Sequence, residues 1–491
     1  MDQLRISEES LAKAAEATKL AWADPSMRKA ITVATGLTGI VLEAPAKQLV
    51  ALMSPWRQRI PRKTQPGATA VQWKAITAVV QNAKFSTTES ASANAIATTV
   101  VSKSATYREV GTRGSVTRKA IAEGQGFEDV KAKEVANTLL LAMKLEEQAI
   151  IGGNRTALAT VTGVVAAVRV AQGSLAADAA GYNVRVAALT LMAMNRITVD
   201  RPGVYDGTDA KIAGNGTGHA NINPATDGVA VFSTNVISAA VAANDALKIT
   251  WTPVNGAAGY AVACRAVGVG AALVEVVVTQ ANITLTSVTG GGAVATAGDS
   301  SADTNIFDGI VPLTFADASA YKKNVAGVLT GTGGEIVQIQ DGFQSLWDTG
   351  KIDEFDILVG GVDSRNITRL SISAGGGPTI FVSPTGENRL DLTQGYHAGF
   401  VINAVTGKRC AVNVLPWLPG GMIILLPTKI PYPMANITTP FEVAAAYGWE
   451  QIDYAITAAS GPVSEFDVRA DEVVKDYFPA GTGLLHNVLF G

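Results

Sequence analysis

The spacing of apolar and polar positions changes several times along this chain, and each change predicts a different kind of element. The run Met422–Leu426 is continuously apolar and bounded by turn residues, the signature of a short buried strand. It lies within Val412–Val443, where Pro416, Pro419, Pro427, Pro431 and Pro433 each fix φ and lack an N–H. A helix is excluded there, and any strands must be short or at an edge. The opposite pattern runs from Glu128 to Ile151, where Ala132, Ala136, Leu139, Met143 and Ile150 recur at helical spacing and Lys131, Glu134, Thr138 and Lys144 fall off that stripe. Gly124 and Gly126 precede this helix, Glu128 and Asp129 suit its N-terminal dipole, and Gly152-Gly153 stops it. At 1.5 Å per residue it would be about 36 Å long.

Weaker patterns surround these two. Residues 7–22 predict an amphipathic helix through Leu11, Ala14, Ala15, Thr18 and Trp22, capped by Ser7 and stopped at Asp24-Pro25. From Ile31 to Pro61 the chain is apolar but broken by Gly36, Gly39, Pro45 and Pro55, so it predicts an extended strap with no core of its own. A basic stretch, Arg57, Arg59, Arg62, Lys63 and Lys74, leads into strand patterns at Val71–Val80 and Ala95–Val110 around the polar tip Phe85–Asn94, a long two-stranded hairpin. Such a hairpin is marginal in water and needs a partner surface, either a neighbouring subunit or its own domain.

After Asn154 the composition turns rich in Ala, Val, Gly, Thr and Asn, and residues 156–304 predict short strands with Gly, Asn or Asp turns, a β-sandwich. Mixed α/β character returns at Asp308–Ser373, with helices expected at Ala316–Leu329, Glu335–Trp347 and Val362–Ser371 around a buried strand Phe355–Val359. Gly375-Gly376-Gly377-Pro378 reads as a loop, Leu390–Leu392 and Phe400–Val405 as strands, and Phe441–Thr457 with Ser464–Ala470 as a last hairpin around Ser460-Gly461-Pro462.

Composition narrows the class. The 491 residues should divide into two to four domains. Charged residues are 16% and hydrophobic residues 47%, lean in surface charge, which suits either a chain buried against sibling subunits or a β-rich protein of small side chains. A net charge of −3 with no Lys/Arg-rich run leaves no footprint for gripping nucleic acid. Cys264 and Cys410 stand far apart with no CxxC spacing, which argues against disulfide staples or a zinc site. The N-terminus lacks a signal-peptide core and no window of about 18 apolar residues predicts a membrane span, so the Asn-x-Thr triplets at Asn154, Asn215, Asn282, Asn366 and Asn436 are chance.

Candidate chemistry is thin. Gly214-Asn215-Gly216-Thr217-Gly218 lacks GxGxxG spacing and a Walker lysine, so it reads as a β-connection. Asp353, Glu354 and Asp356 cluster before a strand, as a catalytic pair might, but a solvated loop does the same. His219, His397 and His486 share no ligand spacing, and no GxSxG elbow exists. Trp251, Trp417 and Trp449 read as core packing. The expectation is therefore a non-enzyme with no catalytic, cofactor-binding or metal residues and no cofactor.

Two resemblances carry the reading further. The layout L-P-W-L-P-G-G, I-I-L-L-P and P-Y-P-M-A-N, the chain end Leu484-Leu485-His486-Asn487-Val488, and a long helix ending E-E-Q-A-I-I-G-G-N resemble tailed-bacteriophage major capsid proteins of the Hong Kong 97 fold. Within the β-rich segment, Leu247–Val254 followed by Gly256–Val262 resembles the strand B to strand C region of fibronectin type III or immunoglobulin-like modules, where a buried Trp and a Tyr-bearing strand pack two sheets. Val274–Val278 and Ile283–Leu285 continue that module, and Tyr182–Leu191 could close a preceding half.

Together these imply an α+β capsid fold. Its parts would be an N-terminal arm at 1–56, an extended hairpin at 57–112, a peripheral domain with a spine helix at 113–155, an outward-facing immunoglobulin-like insertion at 156–304, an axial α/β domain at 305–411, and return strands with the C-terminus at 412–491. The resemblance implies pentamers and hexamers in an icosahedral virion shell built in the host cytoplasm, around double-stranded DNA bound without sequence preference. Portal, scaffolding and decoration proteins are possible partners, and no membrane is involved. The start at Met1 reads as an uncleaved product. A Lys–Asn cross-link is not carried over, since Lys74 and Lys84 have no identifiable partner. An encapsulin-type compartment, an adhesion or surface protein, and a glycan-active enzyme with an accessory module are the alternatives. The abrupt composition change predicts that residues 156–304 can be excised without loss of assembly.

Overall fold

The computed structural model describes residues 56–65, 69–78, 89, 99–124, 129–196, 211–215, 228–267, 274–289, 298–332, 335–373, 399–431, 437, 439–454 and 463–489. The expected helix at 7–22, the strap up to residue 55, the hairpin tip, the glycine loop at 375–378, the strand at 390–392 and the turn at 460–462 lie outside these residues.

One body is a four-stranded sheet backed by a long helix. Its order is β1 (Arg62–Thr64), β20 (Phe441–Asp453), β21 (Val463–Asp476) and β4 (Arg108–Thr117), and the β20–β21 pair is the expected last hairpin. A short helix, α1 (Arg118–Gly124), leads from β4 toward the long helix α2 (Val130–Gly152). Asp129 caps α2, its Oδ1 accepting from Ala132 N at 3.0 Å. The face it buries is rotated from the one expected. Val135, Leu139 and Ala142 meet Val116, Phe466 and Val468, while Ala132 is exposed and Thr138 is buried. From Glu146 to Gly152 every residue is buried, because the end of α2 enters the centre of the molecule.

The second body is a six-stranded mixed sheet in the order β13 (Tyr321–Val328), β22 (Gly483–Leu489), β19 (Met422–Pro427), β16 (Phe355–Val359), β18 (Arg409–Val414) and β17 (Phe400–Ile402). The apolar run β19 is buried throughout and sits near the centre, with Pro427 at its last rung opposite Phe355. Helices α5 (Val337–Gly350) and α6 (Gly361–Ser373) match two of the three expected helices, and the short pair β14 (Gly331–Thr332) and β15 (Glu335–Ile336) leads into α5. The third helix, expected at Ala316–Leu329, is not formed. A seven-residue helix, α4 (Ile310–Ala316), stops at Asp317, whose Oδ1 accepts from Ser319 N at 2.9 Å and Ser319 Oγ at 2.6 Å. The chain then runs as β13, hydrogen-bonded in parallel to the C-terminal β22. A partner strand more than 150 residues away outweighs local helix propensity here.

Within 156–304 the described strands make two four-stranded sheets whose apolar residues share a core. One is β11 (Val274–Val278), β10 (Gly259–Ala266), β6 (Tyr182–Leu189) and β8 (Val236–Ile237); the other is β5 (Val165–Arg169), β9 (Ala246–Thr250), β12 (Asn282–Thr289) and β7 (Lys211–Asn215). Trp251 and Tyr260 meet edge to face at 5.2 Å, and Tyr260 Oη accepts from Val254 N at 2.9 Å. Tyr182–Leu189 does not close a preceding half: β6 pairs with β10 over eight residues, so both ends of the segment build one unit.

That unit is not separate from the rest. Side chains alternate along β6 and β10, so Val184, Val186, Val262 and Cys264 face the sister sheet while Ala187, Leu189, Ala261 and Ala263 join the main core. The short helix α3 (Leu191–Arg196) adds Leu191, Ala193 and Met194 to the same core. The two ends of the segment are also tied, with Gly309 N donating to Gly153 O at 2.8 Å and Asn154 Nδ2 to Ser301 O at 2.8 Å. The expectation of an excisable module is corrected on these grounds, since its removal would strip one wall from the main core.

The hairpin forms as β2 (Ala70–Ala78) paired with β3 (Thr99–Thr106), and no third strand joins it among the described residues. Its root is folded onto its own chain. Trp73 Nε1 donates to Asp476 O at 2.8 Å, Ile76 N to Tyr477 O at 2.9 Å, and Lys103 pairs with Asp317 at 2.6 Å. Val71, Trp73 and Ala75 are buried, whereas Val100 and Val101 are exposed.

Candidate functional site

A buried polar cluster lies at the end of α2, where two adjacent glutamates, Glu146 and Glu147, are buried. An anion in the last turns of a helix opposes the dipole, so these carboxylates need other partners. Those partners come from four directions. Glu147 Oε2 accepts from the backbone N–H groups of Trp56 and Arg57 at 2.9 Å each, capping the single 3-10 turn Arg57–Arg59, and its Oε1 accepts from Trp417 Nε1 at 2.9 Å. Glu146 Oε2 takes Arg57 Nε at 2.6 Å and Trp449 Nε1 at 3.1 Å, and its Oε1 pairs with Arg62. Arg62 reaches onward to Glu472 Oε1 at 2.7 Å on β21.

Two helix residues thus bind segment 56–62 to strand β20 and to the loop before β19, and Arg62 carries the link on to β21. Arg59 points away, paired with Asp356 at 2.9 Å and lying over the Trp56 ring at 5.5 Å. Burial pushes the Glu147 carboxyl above the usual carboxylate range, against the pull of its three N–H donors. Burial likewise raises Glu472 and lowers Arg62, with their mutual attraction opposing both shifts. Removing one member of such a buried set leaves an uncompensated charge, typically about 3–5 kcal/mol.

The residues weighed from sequence fall elsewhere. Asp356 holds Arg59 and accepts from Asn413 Nδ2 at 3.0 Å, while Asp353 and Glu354 offer backbone carbonyls to Asn403, Thr406 and Thr428, and all three carboxylates add to the upward push on the Cys410 thiol. His486 is buried against Phe315 at 5.3 Å, and desolvation lowers its pKa to about 4. His219 and His397 lie outside the described residues, as do Gly216–Gly218; Gly214 and Asn215 are in β7. Cys264 and Cys410 are buried free thiols, pushed up to about 12 and about 11 by burial. Among the described residues no three His, Cys, Asp or Glu side chains are grouped to hold a metal, and no helix is long and apolar enough to cross a membrane.

Sequence reasoning missed the junction itself. Trp417 and Trp449 are not simply packing residues: each is half-buried and gives its indole N–H to a glutamate. The available signal was a basic run, Arg57 to Arg62, without acidic neighbours in sequence, and a Glu-Glu pair separated by one residue, Gln148, from the apolar A-I-I.

No family profile matches the chain, and no curated protein matches it. Among solved structures it is similar to that of Microbacterium phage Oxtober96, at 9% identity and TM-score 0.41, covering 95% of this chain and 98% of that one. It is also similar to the capsid structure of the cyanophage P-SCSP1u, at 6% identity and TM-score 0.37 over 93% of this chain and 91% of that one. A third is the holo-SrpI encapsulin complex from Synechococcus elongatus PCC 7942, at 8% identity and TM-score 0.36 over 95% of each chain. No residue of theirs lends a role to this chain.

Proposed function

We propose that this chain is a shell-forming capsid protein of the Hong Kong 97 type, the major capsid protein of a tailed double-stranded DNA phage. The observation that carries the reading is the ribbon β2–β3. One face of its root is anchored through Trp73, Ile76 and Lys103, yet among the described residues the ribbon is two strands wide with Val100 and Val101 exposed. A two-stranded ribbon gains stability from a further surface, and a sibling subunit supplies one. The order of elements supports the same assignment: ribbon, a 23-residue helix, and a mixed sheet with the C-terminal strand inside it run in the order hairpin, spine and axial domain. The two-sheet unit is read as immunoglobulin-like on its Trp251–Tyr260 contact. Pentamers and hexamers of the chain would enclose DNA, and function would reside in interfaces.

Negative-stain electron microscopy of the purified chain, expressed alone and concentrated, tests this. Closed shells or rings of five or six are expected; dispersed monomers in the presence and absence of co-expressed scaffold would overturn it. A shell filled with protein cargo instead of nucleic acid would assign an encapsulin-type compartment.

A further inference from the structure

Residues 56–65 form a strap fixed at both ends. Beyond the glutamate junction, Gln65 N donates to Ala445 O at 2.7 Å, and Gln65 Oε1 receives Tyr107 Oη and Lys475 Nζ at 3.4 Å each. In the middle the charges do not balance. The guanidinium groups of Arg57 and Arg62 face the carboxylates of Glu146, Glu147 and Glu472. Glu147 is served by neutral N–H donors, two from the backbone and one indole.

Glu472 is fully buried, and while its Oε1 takes Arg62, its Oε2 has no hydrogen-bond partner. A buried carboxylate oxygen without a donor is costly, and a proton placed there removes the excess charge. The Arg57 charge adds a second attraction that opposes the upward shift of Glu472, but no donor reaches Oε2. Across the ladder on β4 stands Arg108, which offsets Asp471, the next residue of β21, and Glu109 stands opposite Asp471. From β20 the facing residue is Ala445, and Trp449 already donates to Glu146.

We propose that the strap is closed by a proton: Glu472 is protonated when residues 56–65 are docked, so the strap grips more tightly as pH falls and loosens as pH rises. The sign is the reverse of an ordinary ion-pair clasp, which needs ionised carboxylates and opens in acid. The upward shifts of Glu147 and Glu472, caused first by burial, point the same way. A carboxyl raised in the folded state contributes stability that is complete below its ordinary range and is lost as pH rises through the folded value.

Hydrogen exchange of the full chain, read by mass spectrometry at pH 6 to pH 9 and corrected for the intrinsic rate, tests it. Protection of peptides spanning 56–65 should fall about tenfold or more over this range, relative to β9 (Ala246–Thr250) as an internal reference. Glu472→Gln keeps the acceptor for Arg62 and sets an NH₂ where Oε2 lies, so it should flatten the dependence and leave the strap protected at pH 9. The proposal is overturned if strap protection is level, if it rises with pH, or if Glu472→Gln follows the wild-type slope. Should that variant fail to fold, the wild-type series alone still decides the sign.

Discussion

Gly152→Ala sets two effects of known size against each other. Gly152 is the last residue of α2, and replacing a helical glycine by alanine ordinarily stabilises by about 1 kcal/mol. Here, however, a Cβ built on Gly152 would lie 2.2 Å from Leu191 Cδ2, 2.6 Å from its Cβ and 2.7 Å from its Cγ. Leu191 is 2% exposed and packed into the main core, so it cannot swing clear. Overpacking of this kind costs roughly 1–3 kcal/mol, which outweighs the propensity gain, and the net expectation is destabilisation of up to about 2 kcal/mol. Leu191→Ala alone leaves a cavity and should cost about 2–5 kcal/mol. In the double variant the contacts with Cγ and Cδ2 are gone while the one with Cβ at 2.6 Å remains, so the two losses should fall short of their sum by about 1 kcal/mol. The assay is the local opening free energy of α2, from amide exchange of its C-terminal turns in the four chains of the cycle. Additivity within about 0.5 kcal/mol, or a Gly152→Ala chain stabilised by the full propensity gain, would refute the close-contact account.

Other expectations follow from the same contacts. Trp417→Phe keeps the ring but removes the N–H 2.9 Å from Glu147, and should weaken protection of the strap by about 1.5–3 kcal/mol; an equal effect in a Glu147→Leu background, which has no acceptor, would show that the bond is not the cause. His486, lowered to about 4 by burial, contributes stability present above its ordinary value near 6.5 and lost as pH falls toward 4, up to about 3 kcal/mol; denaturation midpoints of His486→Gln should lack that acid loss. Asp363 behaves oppositely. Burial raises it to about 7, with Gly421 N donating to its Oδ2 at 2.8 Å, so its contribution is lost as pH rises through 7, and Asp363→Asn should be the more stable chain at pH 9. Deletion of residues 156–304 should give insoluble chain, as judged by sedimentation, and a soluble, cooperatively unfolding product would contradict the shared core.

The α2 terminus shows how a sequence reading can be right in place and wrong in reason. Gly152-Gly153 marked the helix end, and the helix ends there. Neither glycine uses the left-handed conformation that a glycine stop usually supplies; Gly153 has φ −57° and ψ 129°. They are required because a Cβ on Gly153 would lie 2.5 Å from Phe307 O, as one on Gly152 would strike Leu191. The close approach belongs to Leu191 and Phe307, 39 and 154 positions away, which local pattern does not contain.

What the sequence determined by itself is what depends on neighbours in the chain. The buried run Met422–Leu426, the extent of α2, the strand Phe355–Val359, the ribbon and the β character of 156–304 all follow from periodicity, turn residues and proline stereochemistry acting over a few residues. What only the tertiary structure decided depends on contacts between distant segments. Tyr321–Val328 is a strand because β22 reaches it from the C-terminus, and the β-rich unit is part of the main core because its strands bury both faces. Glu146, Glu147 and Glu472 became a single junction because three elements deliver charges that must satisfy one another once water is excluded. Burial and electrostatic pairing are properties of the assembled space, and a linear pattern holds only the residues that will meet there.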